Sequence, residues 1–239
     1  MRDVVTGFYC GVLQKLIARG EIATSDRVLV VCGGPLDDAV MREVGFADFV
    51  ISGLDGSAER QDAERLSFAD GSFDVVIAHA GLHHCYSPHR ALLEMYRVAR
   101  KAAIAFESRD SLLMRTAVRF GLTVDYEVDS VSEDGKGGGV AESGVPNFVY
   151  RWTEREVWKA IATFDPRRQP KIEFFYDLRI PIQRYARSGN HALRLAGILI
   201  EPLSRVFAAL LPSQCNEFAF AISKRGELQP WIRAGQQPR

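Results

Sequence analysis

RVLVVCGGPLDD, residues 27–38, is the stretch of sequence that decides the fold. It begins with an apolar, mostly β-branched run, which predicts a strand buried on both faces. A Cys-Gly-Gly-Pro turn follows, and a helical pattern begins at about Asp37. A buried strand, a glycine turn and a helix start expose bare backbone and free N–H groups to which a ligand can bind. Plain connectors share this pattern, so the rest of the chain must decide its meaning.

Further apolar runs at residues 49–51, 73–78 and 102–106 alternate with helical patterns. Short buried strands that alternate with helices predict a parallel α/β sheet with helices on both faces. Ligands of such sheets bind at the carboxyl ends of the strands. A helical pattern over residues 3–19 precedes the first strand, and its Tyr9 could pack in the core or cover a ligand.

The second half of the chain has a different organisation. Residues 127–147 are polar and rich in glycine, which predicts either a lid over a site or a disordered loop. Residues 171–176 and 217–223 have the pattern of strands, and an apolar helical insertion at about residues 183–212 precedes the last of them. We expect residues 1–239 to form a single domain.

Composition excludes several classes of function. The 30 basic and 30 acidic residues cancel, so no general nucleic-acid partner is expected. The four cysteines lack metal-type spacing and are typical of reduced thiols in a cytoplasmic protein. Charged residues and a proline interrupt the apolar residues 191–211, so we predict no membrane span. That segment could instead form a homodimer contact or roof a pocket.

Three motifs in order, RVLVVCGG, VISGLD and QDAERLSFADGSFDVVIAHAGLHH, resemble class I S-adenosylmethionine (SAM)-dependent methyltransferases, in particular the branch that acts on small molecules. The third motif is the most specific, and the resemblance covers about residues 27–107. It implies a Rossmann-like sheet, mostly parallel, which ends in an antiparallel hairpin. It also implies SAM as the cofactor and a small-molecule substrate.

The resemblance implies cofactor contacts at the ends of the predicted strands. Carried over by position, they are Gly33 and Gly34 under the methionine and ribose, Asp55 on the ribose hydroxyls, Asp62 and Ala63 at the adenine, and His79 facing the sulfonium, with Tyr9 as a cover. A carboxylate suits a vicinal diol because both of its oxygens accept hydrogen bonds.

The first motif departs from the family pattern. The family has an acidic residue, which anchors the amino-acid end of SAM, where this chain has Val30. It also has glycines where this chain has Cys32 and Leu36. Valine cannot accept a hydrogen bond, so Asp37 or Asp38 would have to replace the missing acid from a different direction.

The spacing of the second and third motifs departs as well. Only six residues separate Asp55 from Asp62, whereas the family fits a helix and a strand there. The third strand is therefore expected to be very short or missing, and the adenine pocket to be more open.

Histidines cluster after the fourth predicted strand, at His79, His83, His84 and His89. No third type of ligand, such as a paired cysteine or a carboxylate cluster, stands near them in sequence, so we predict no metal site. His83 is a candidate for a general base or a substrate-positioning group. Structural hydrogen bonding explains His84 better.

Asn147 and Tyr176 are candidate catalytic residues of the second half, because one ends the glycine-rich loop and the other ends a strand. In methyl transfer, His83 or Tyr176 could act as the base. A second hypothesis is a SAM cyclase that releases methylthioadenosine and forms azetidine-2-carboxylate, with Asn147 and Tyr176 orienting the amine. This cyclase hypothesis is motivated by the valine at position 30, where the family has an acid. A third is a non-catalytic SAM-fold module that binds a partner.

Overall fold

The computed structural model describes residues 4–54, 59–179, 203–204 and 206–232, with side chains from residue 6 onward. The helices are α1 (Val4–Ala18), α2 (Pro35–Val44), α3 (Pro88–Val98), α4 (Leu112–Arg119) and α5 (Glu154–Phe164). The strands are β1 (Arg27–Val31), β2 (Asp48–Gly53), β3 (Glu59–Arg60), β4 (Phe73–His79), β5 (Ala99–Ser108), β6 (Tyr126–Glu127), β7 (Asn147–Phe148), β8 (Lys171–Asp177) and β9 (Glu217–Ser223).

Seven of the strands form one sheet in the order β3-β2-β1-β4-β5-β9-β8. The first five in that order are parallel, and β9 runs antiparallel to both β5 and β8. The strand order reverses between β1 and β4, which is where sheets of this type bind their ligands. The predicted α/β architecture, a mostly parallel sheet with a C-terminal antiparallel hairpin, is confirmed.

Apolar side chains fill both faces of this sheet. One core cluster joins Leu29 and Val76 of the sheet to Met95 of α3 and Ile161 of α5. The other joins the opposite face to α1 and α2, and Leu13 of α1 belongs to it. Helices therefore cover both faces, as the continuous apolar strands predict.

The strand β1 explains why the quoted stretch decides the fold. Val28, Leu29 and Val30 have no exposed surface, because β1 lies between β2 and β4 and is covered from both faces. The helix α2 begins at Pro35 rather than at Asp37, since proline lacks the N–H that the first helical position would leave unpaired.

Two predictions about loops can be compared with the structure. The third strand is present but very short, because β3 pairs with β2 through only two residues. The glycine-rich segment between β6 and β7 folds back on itself, with backbone hydrogen bonds such as Val140 N–H to Val145 O at 2.8 Å. The predicted helical insertion and the segment 191–211 fall mostly outside the described residues. Among those described, no helix combines the length and the apolar character needed to cross a membrane.

Candidate functional site

A cavity of about 300 Å³ lies at the carboxyl ends of β1, β2 and β4. Its walls are the turns after these strands, the segment 61–64 and three residues of the glycine-rich loop, Gly139, Ala141 and Glu142. The volume falls at the lower end of the range for small-molecule pockets. The cavity therefore occupies the position that the topology predicts for a ligand.

The floor of the cavity is built from two turns in close contact. Cys32, after β1, and Ala80, after β4, both have left-handed backbone, with φ of 52° and 48°. Non-glycine residues in this region cluster at functional sites, where the surrounding structure holds the strain. A Cβ on Gly81 would lie 2.5 Å from Cys32 Cβ, so the contact between the turns requires glycine there.

The two glycines of the first turn have different surroundings. A Cβ on Gly33 would lie 2.9 Å from side-chain atoms of Val30 and Ile51, so this position is packed against the sheet. A Cβ on Gly34 would meet nothing within 4 Å. Gly34 is the N-cap of α2. The N–H groups of Gly33 and Gly34 are bonded to the Ser52 carbonyl oxygen and to Asp37 Oδ2, each at 2.9 Å. The turn therefore offers open space to a ligand at Gly34.

Four of the predicted cofactor residues line the cavity together: Gly33, Gly34, Asp62 and Ala63. Asp62 Oδ1 accepts a hydrogen bond from Glu64 N at 2.9 Å, which fixes its turn. The remaining residue at the strand ends, Asp55, lies outside the described residues, although its neighbours Gly53 and Leu54 line the cavity.

Tyr9 and His79, the other two predicted cofactor residues, do not line the cavity. They stack on each other beside the glycine turn, with ring centroids 4.7 Å apart. Asp37 lies with them, and its Oδ2 accepts a hydrogen bond from Gly34 N at 2.9 Å. We call Tyr9, Asp37 and His79 the turn-side cluster.

The turn-side cluster has unused hydrogen-bonding capacity. Within the described part of the chain, Asp37 Oδ1 and the Tyr9 hydroxyl are buried, form no hydrogen bond of standard geometry, and interact with each other. Burial raises the pKa of Asp37 and, together with the charge of Asp37, raises the pKa of Tyr9. Burial lowers the pKa of His79. Unpaired buried polar atoms are costly, so native proteins keep them mostly where a ligand or function uses them.

Asp37 is therefore a better candidate than Asp38 to replace the acid that the family has at position 30. Asp38 forms an ion pair with Arg42 on the exposed face of α2, with Oδ2 2.8 Å from Nε. Val30 is fully buried in the sheet and contributes no polar group. Of the residues considered from sequence, Asp37 is the one with a buried carboxylate beside the turn.

His83 lies next to the cavity but does not fit the predicted role of a base. Its Nδ1 is 2.8 Å from Glu107 Oε2, and its Nε2 is 3.6 Å from Glu127 Oε2. Burial alone would lower the pKa of His83, but these two carboxylates outweigh it and raise the pKa to about 10. The ring is then protonated at neutral pH and has no free lone pair to accept a proton.

Asn147 and Tyr176 are also engaged away from the cavity wall. The buried Asn147 donates from Nδ2 to Glu127 Oε2 at 3.0 Å and accepts from Ser130 Oγ at 2.8 Å. The Tyr176 hydroxyl donates to Glu154 Oε1 at 2.8 Å, and burial raises its pKa. Asn147 therefore holds the glycine-rich loop, and Tyr176 keeps its proton.

Sequence reasoning missed three features of the cavity. Cys32 and Cys85 are distant in sequence but both line it, and a hydrogen bond with Cys32 is the largest cause of the raised pKa of Cys85. His84 lines it too, with Nδ1 3.3 Å from the Gly139 carbonyl oxygen. The positive φ at Gly139, 68°, permits the bend that brings the loop to this histidine. The run of glycines was the sequence signal for this approach.

Comparison with known proteins bears on the same region. Residues 41–106 match the family model of the methyltransferase domain. The YcgJ protein of Bacillus subtilis is similar in structure, with 14% identity, 91% of this chain and 98% of that chain covered, and a TM-score of 0.50. A SAM-dependent methyltransferase of Archaeoglobus fulgidus gives 15% identity, 91% and 96% coverage, and a TM-score of 0.50. No curated protein matches by sequence.

At this level of identity the structural likeness shows the fold, and the family model covers the segment from the last turn of α2 into β5. The strand order, the glycine turn and the cavity fit that family, whose cofactor is SAM. Residues 41–106 therefore match a methyltransferase domain, and the described part of the chain has the fold of the class I SAM-dependent methyltransferases.

Proposed function

We propose that this chain binds SAM in the cavity and transfers its methyl group to a small-molecule acceptor. The observation that carries the proposal is the shared cavity of the glycine turn and the segment Asp62–Ala63, at the reversal of strand order. Ligands of doubly wound sheets bind at this reversal. The matched methyltransferase family model covers β2, β4 and the segment Asp62–Ala63, and supports the reaction class.

The chemistry of the site fits SAM at both ends of the molecule. Gly34 presents open space to the amino-acid and ribose part, and Asp62 with Ala63 would adjoin the adenine. Asp55 keeps its predicted role on the ribose hydroxyls. The unpaired Asp37 Oδ1 suits a cationic amine, because a charge partner removes most of the cost of a buried carboxylate.

When bound, SAM supplies a methyl group activated by its sulfonium. The residues of this chain contribute position and the exclusion of water, which together account for much of the acceleration of such reactions. His83 and Tyr176 are no longer candidate bases, because both hold their protons at neutral pH. His84 is the cavity-lining histidine among the described residues.

The cyclase is the second candidate, and one observation favours it. Val30 is buried in the sheet, so β1 offers no acid to hold the SAM ammonium. A free α-amine titrates near pH ~8, so its deprotonation is not costly. The carboxylate of Asp37 argues in the other direction, because a nearby negative charge stabilises the protonated amine. Methyl transfer therefore remains the first candidate.

One experiment separates the candidates. The purified chain is titrated with SAM by calorimetry, then incubated with SAM alone and with a panel of small hydroxyl, amine and thiol compounds, with mass spectrometry of the products. Methyl transfer predicts that SAM stays intact until an acceptor is added, when S-adenosylhomocysteine forms. Methylthioadenosine without an acceptor would establish the cyclase, and absence of SAM binding would favour the non-catalytic module.

A variant of Gly34 tests the location of the site. Gly34→Val adds a side chain in open space at the cavity, so we expect SAM affinity to fall by about tenfold or more, a loss of about 1.4 kcal/mol. Leu36→Ala, one residue into α2 and outside the cavity wall, is the matched control. Equal SAM affinity in both variants would place the cofactor elsewhere.

A further inference from the structure

Two histidines and a carboxylate converge beside the cavity. His83 and His84 lie in a short 3₁₀ turn after β4, and Glu127 ends β6. Glu127 Oε2 is 3.6 Å from His83 Nε2 and 3.7 Å from His84 Nε2. One ligand atom from each of the three residues lies within 4.8 Å of the other two. We call these residues the loop-side cluster.

Outer partners fix the orientation of both rings. Glu107 Oε2 is 2.8 Å from His83 Nδ1, and the Gly139 carbonyl oxygen is 3.3 Å from His84 Nδ1. Each ring therefore binds the surrounding protein through Nδ1 and directs Nε2 towards Glu127. A carboxylate or carbonyl on the far nitrogen is the usual companion of a metal-binding histidine, because it sets the tautomer and the ring orientation.

The carboxylates themselves are held in place. Glu107 is buried, and its Oε1 accepts from Gly81 N at 3.1 Å and from Leu82 N at 2.8 Å. Asn147 Nδ2 donates to Glu127 Oε2 at 3.0 Å, and a carboxylate oxygen has a second lone pair for another partner. The loop-side cluster is thus held in place by Glu107, the Gly139 carbonyl oxygen and Asn147.

We propose that His83, His84 and Glu127 bind a divalent transition-metal ion of the Zn²⁺ type, which displaces the Nε2 proton that His83 holds in the metal-free chain. Tetrahedral zinc with ligands at about 2.0–2.1 Å separates them by about 3.3 Å. The two separations from Glu127 need to shorten by only a few tenths of an ångström, and the two histidine nitrogens, within 4.8 Å of each other, have to approach to the same distance. Two histidines and a carboxylate suit zinc and its neighbours rather than Mg²⁺ or Ca²⁺, which prefer all-oxygen sites. The sequence-based prediction of no metal did not include Glu127, which comes from a distant segment.

The place of the cluster suggests what the ion would do. Three protein ligands leave at least one coordination position open, as in catalytic zinc sites. His84 lines the cavity, so this position adjoins the proposed SAM site. If the proposed function holds, the acceptor class is a compound with a hydroxyl group, whose pKa a bound metal ion lowers. Metal binding itself does not depend on the proposed function.

Calorimetric titration of the chelator-treated chain with ZnCl₂ tests the site. We expect one ion per chain with micromolar affinity or tighter. Glu127→Gln and His84→Ala each remove one ligand and should weaken binding by tenfold or more. Glu133→Gln is the matched control, because Glu133 is an exposed carboxylate on the same loop outside the cluster. Nitrogen NMR should report the imidazole Nε2 signals of both histidines shifting with zinc.

Each outcome decides the proposal. Zinc affinity equal in Glu127→Gln and Glu133→Gln, or no saturable binding by the original chain, would overturn it. Circular dichroism shows whether each variant is folded. If Glu127→Gln is unfolded, the zinc affinity of His84→Ala tests the proposal instead. SAM binding is measured separately on the chelated chain, so loss of zinc binding and loss of SAM binding identify different failures.

Discussion

The turn-side and loop-side clusters flank the same cleft but differ in how their polar atoms are satisfied. In the turn-side cluster, Asp37 Oδ1 and the Tyr9 hydroxyl are buried without a hydrogen bond of standard geometry among the described residues. In the loop-side cluster, Glu107 and the Gly139 carbonyl oxygen lie against the two histidines, and Asn147 binds Glu127.

The difference teaches how the two halves of a site can be recognised. Unpaired buried atoms indicate where a polar ligand group restores the missing interaction. A network that pairs each ring on one nitrogen and leaves the other directed at a carboxylate indicates a preorganised site for a cation. The two clusters also differ in what lowers the stability of the fold. The turn-side cluster is destabilising while its ligand is absent, and the loop-side cluster becomes destabilising when one of its members is removed.

The largest expected effect comes from Glu107→Ala. This variant removes the carboxylate that pairs with buried His83 and accepts the N–H groups of Gly81 and Leu82. Breaking a buried ion pair leaves an uncompensated group, so we expect the free energy of unfolding to fall by about 3–5 kcal/mol. Urea denaturation measures it. A loss below about 1 kcal/mol would mean that the network contributes little.

The two glycines of the first turn should separate stability from binding. Gly33→Ala places a Cβ 2.9 Å from two branched side chains, so we expect a loss of about 1–3 kcal/mol in the free energy of unfolding. Gly34→Ala meets no atom within 4 Å and should cost less than about 1 kcal/mol. Thermal and urea unfolding of both variants provide the test, and a reversed order would contradict the packing described.

Asp37→Asn should stabilise the chain and weaken SAM binding. The amide keeps an oxygen for Gly34 N–H, removes the buried charge and offers a donor to the Tyr9 hydroxyl, so we expect a gain of about 1 kcal/mol at neutral pH. Because burial raises the pKa of Asp37 in the folded state, the gain is full above that pKa. It should disappear below the unfolded value of about 3.9. A gain independent of pH would contradict the assignment.

The smallest effect concerns Glu127 in the metal-free chain. The pKa of His83, raised to about 10, gives stability that is full below its unfolded value of about 6.5 and is lost as pH rises through the folded value. Glu127→Gln removes one of the charges that raise the pKa of His83, so the loss of stability should begin at lower pH in this variant. Glu127 is partly exposed, so the change in unfolding free energy should be at most about 1 kcal/mol. NMR titration of the imidazole signals measures the shift directly.

The fold could be predicted from sequence because its signals are local. The continuous apolar runs of β1 and β4 require burial on both faces, and only a covered parallel sheet supplies it. The same topology brings Gly33, Gly34 and Asp62 to one edge, where the resemblance to class I methyltransferases had implied contacts with the cofactor. The third strand was expected to be short because the spacing before Asp62 left no room for more.

The second half of the site could not be predicted because it depends on contacts between distant segments. The behaviour of His83 is set by Glu107 from β5 and Glu127 from β6, neither of which shares its motif. Tyr176 looked available at a strand end, but its hydroxyl donates a hydrogen bond to Glu154 at the start of α5. Side-chain direction and pairing decide such roles, and neither is encoded in spacing.

The contact between Cys32 and Gly81 has a consequence for how this site can diversify. Because no side chain fits at position 81, the two turns of the floor must be inherited as a unit. The wall contributed by residues 139–142 requires glycine at position 139, where a Cβ would lie 2.0 Å from the Val145 carbonyl oxygen, but not at the three positions that follow. Evolution can thus reshape this wall through residues 140–142 while the floor of the cleft stays unchanged.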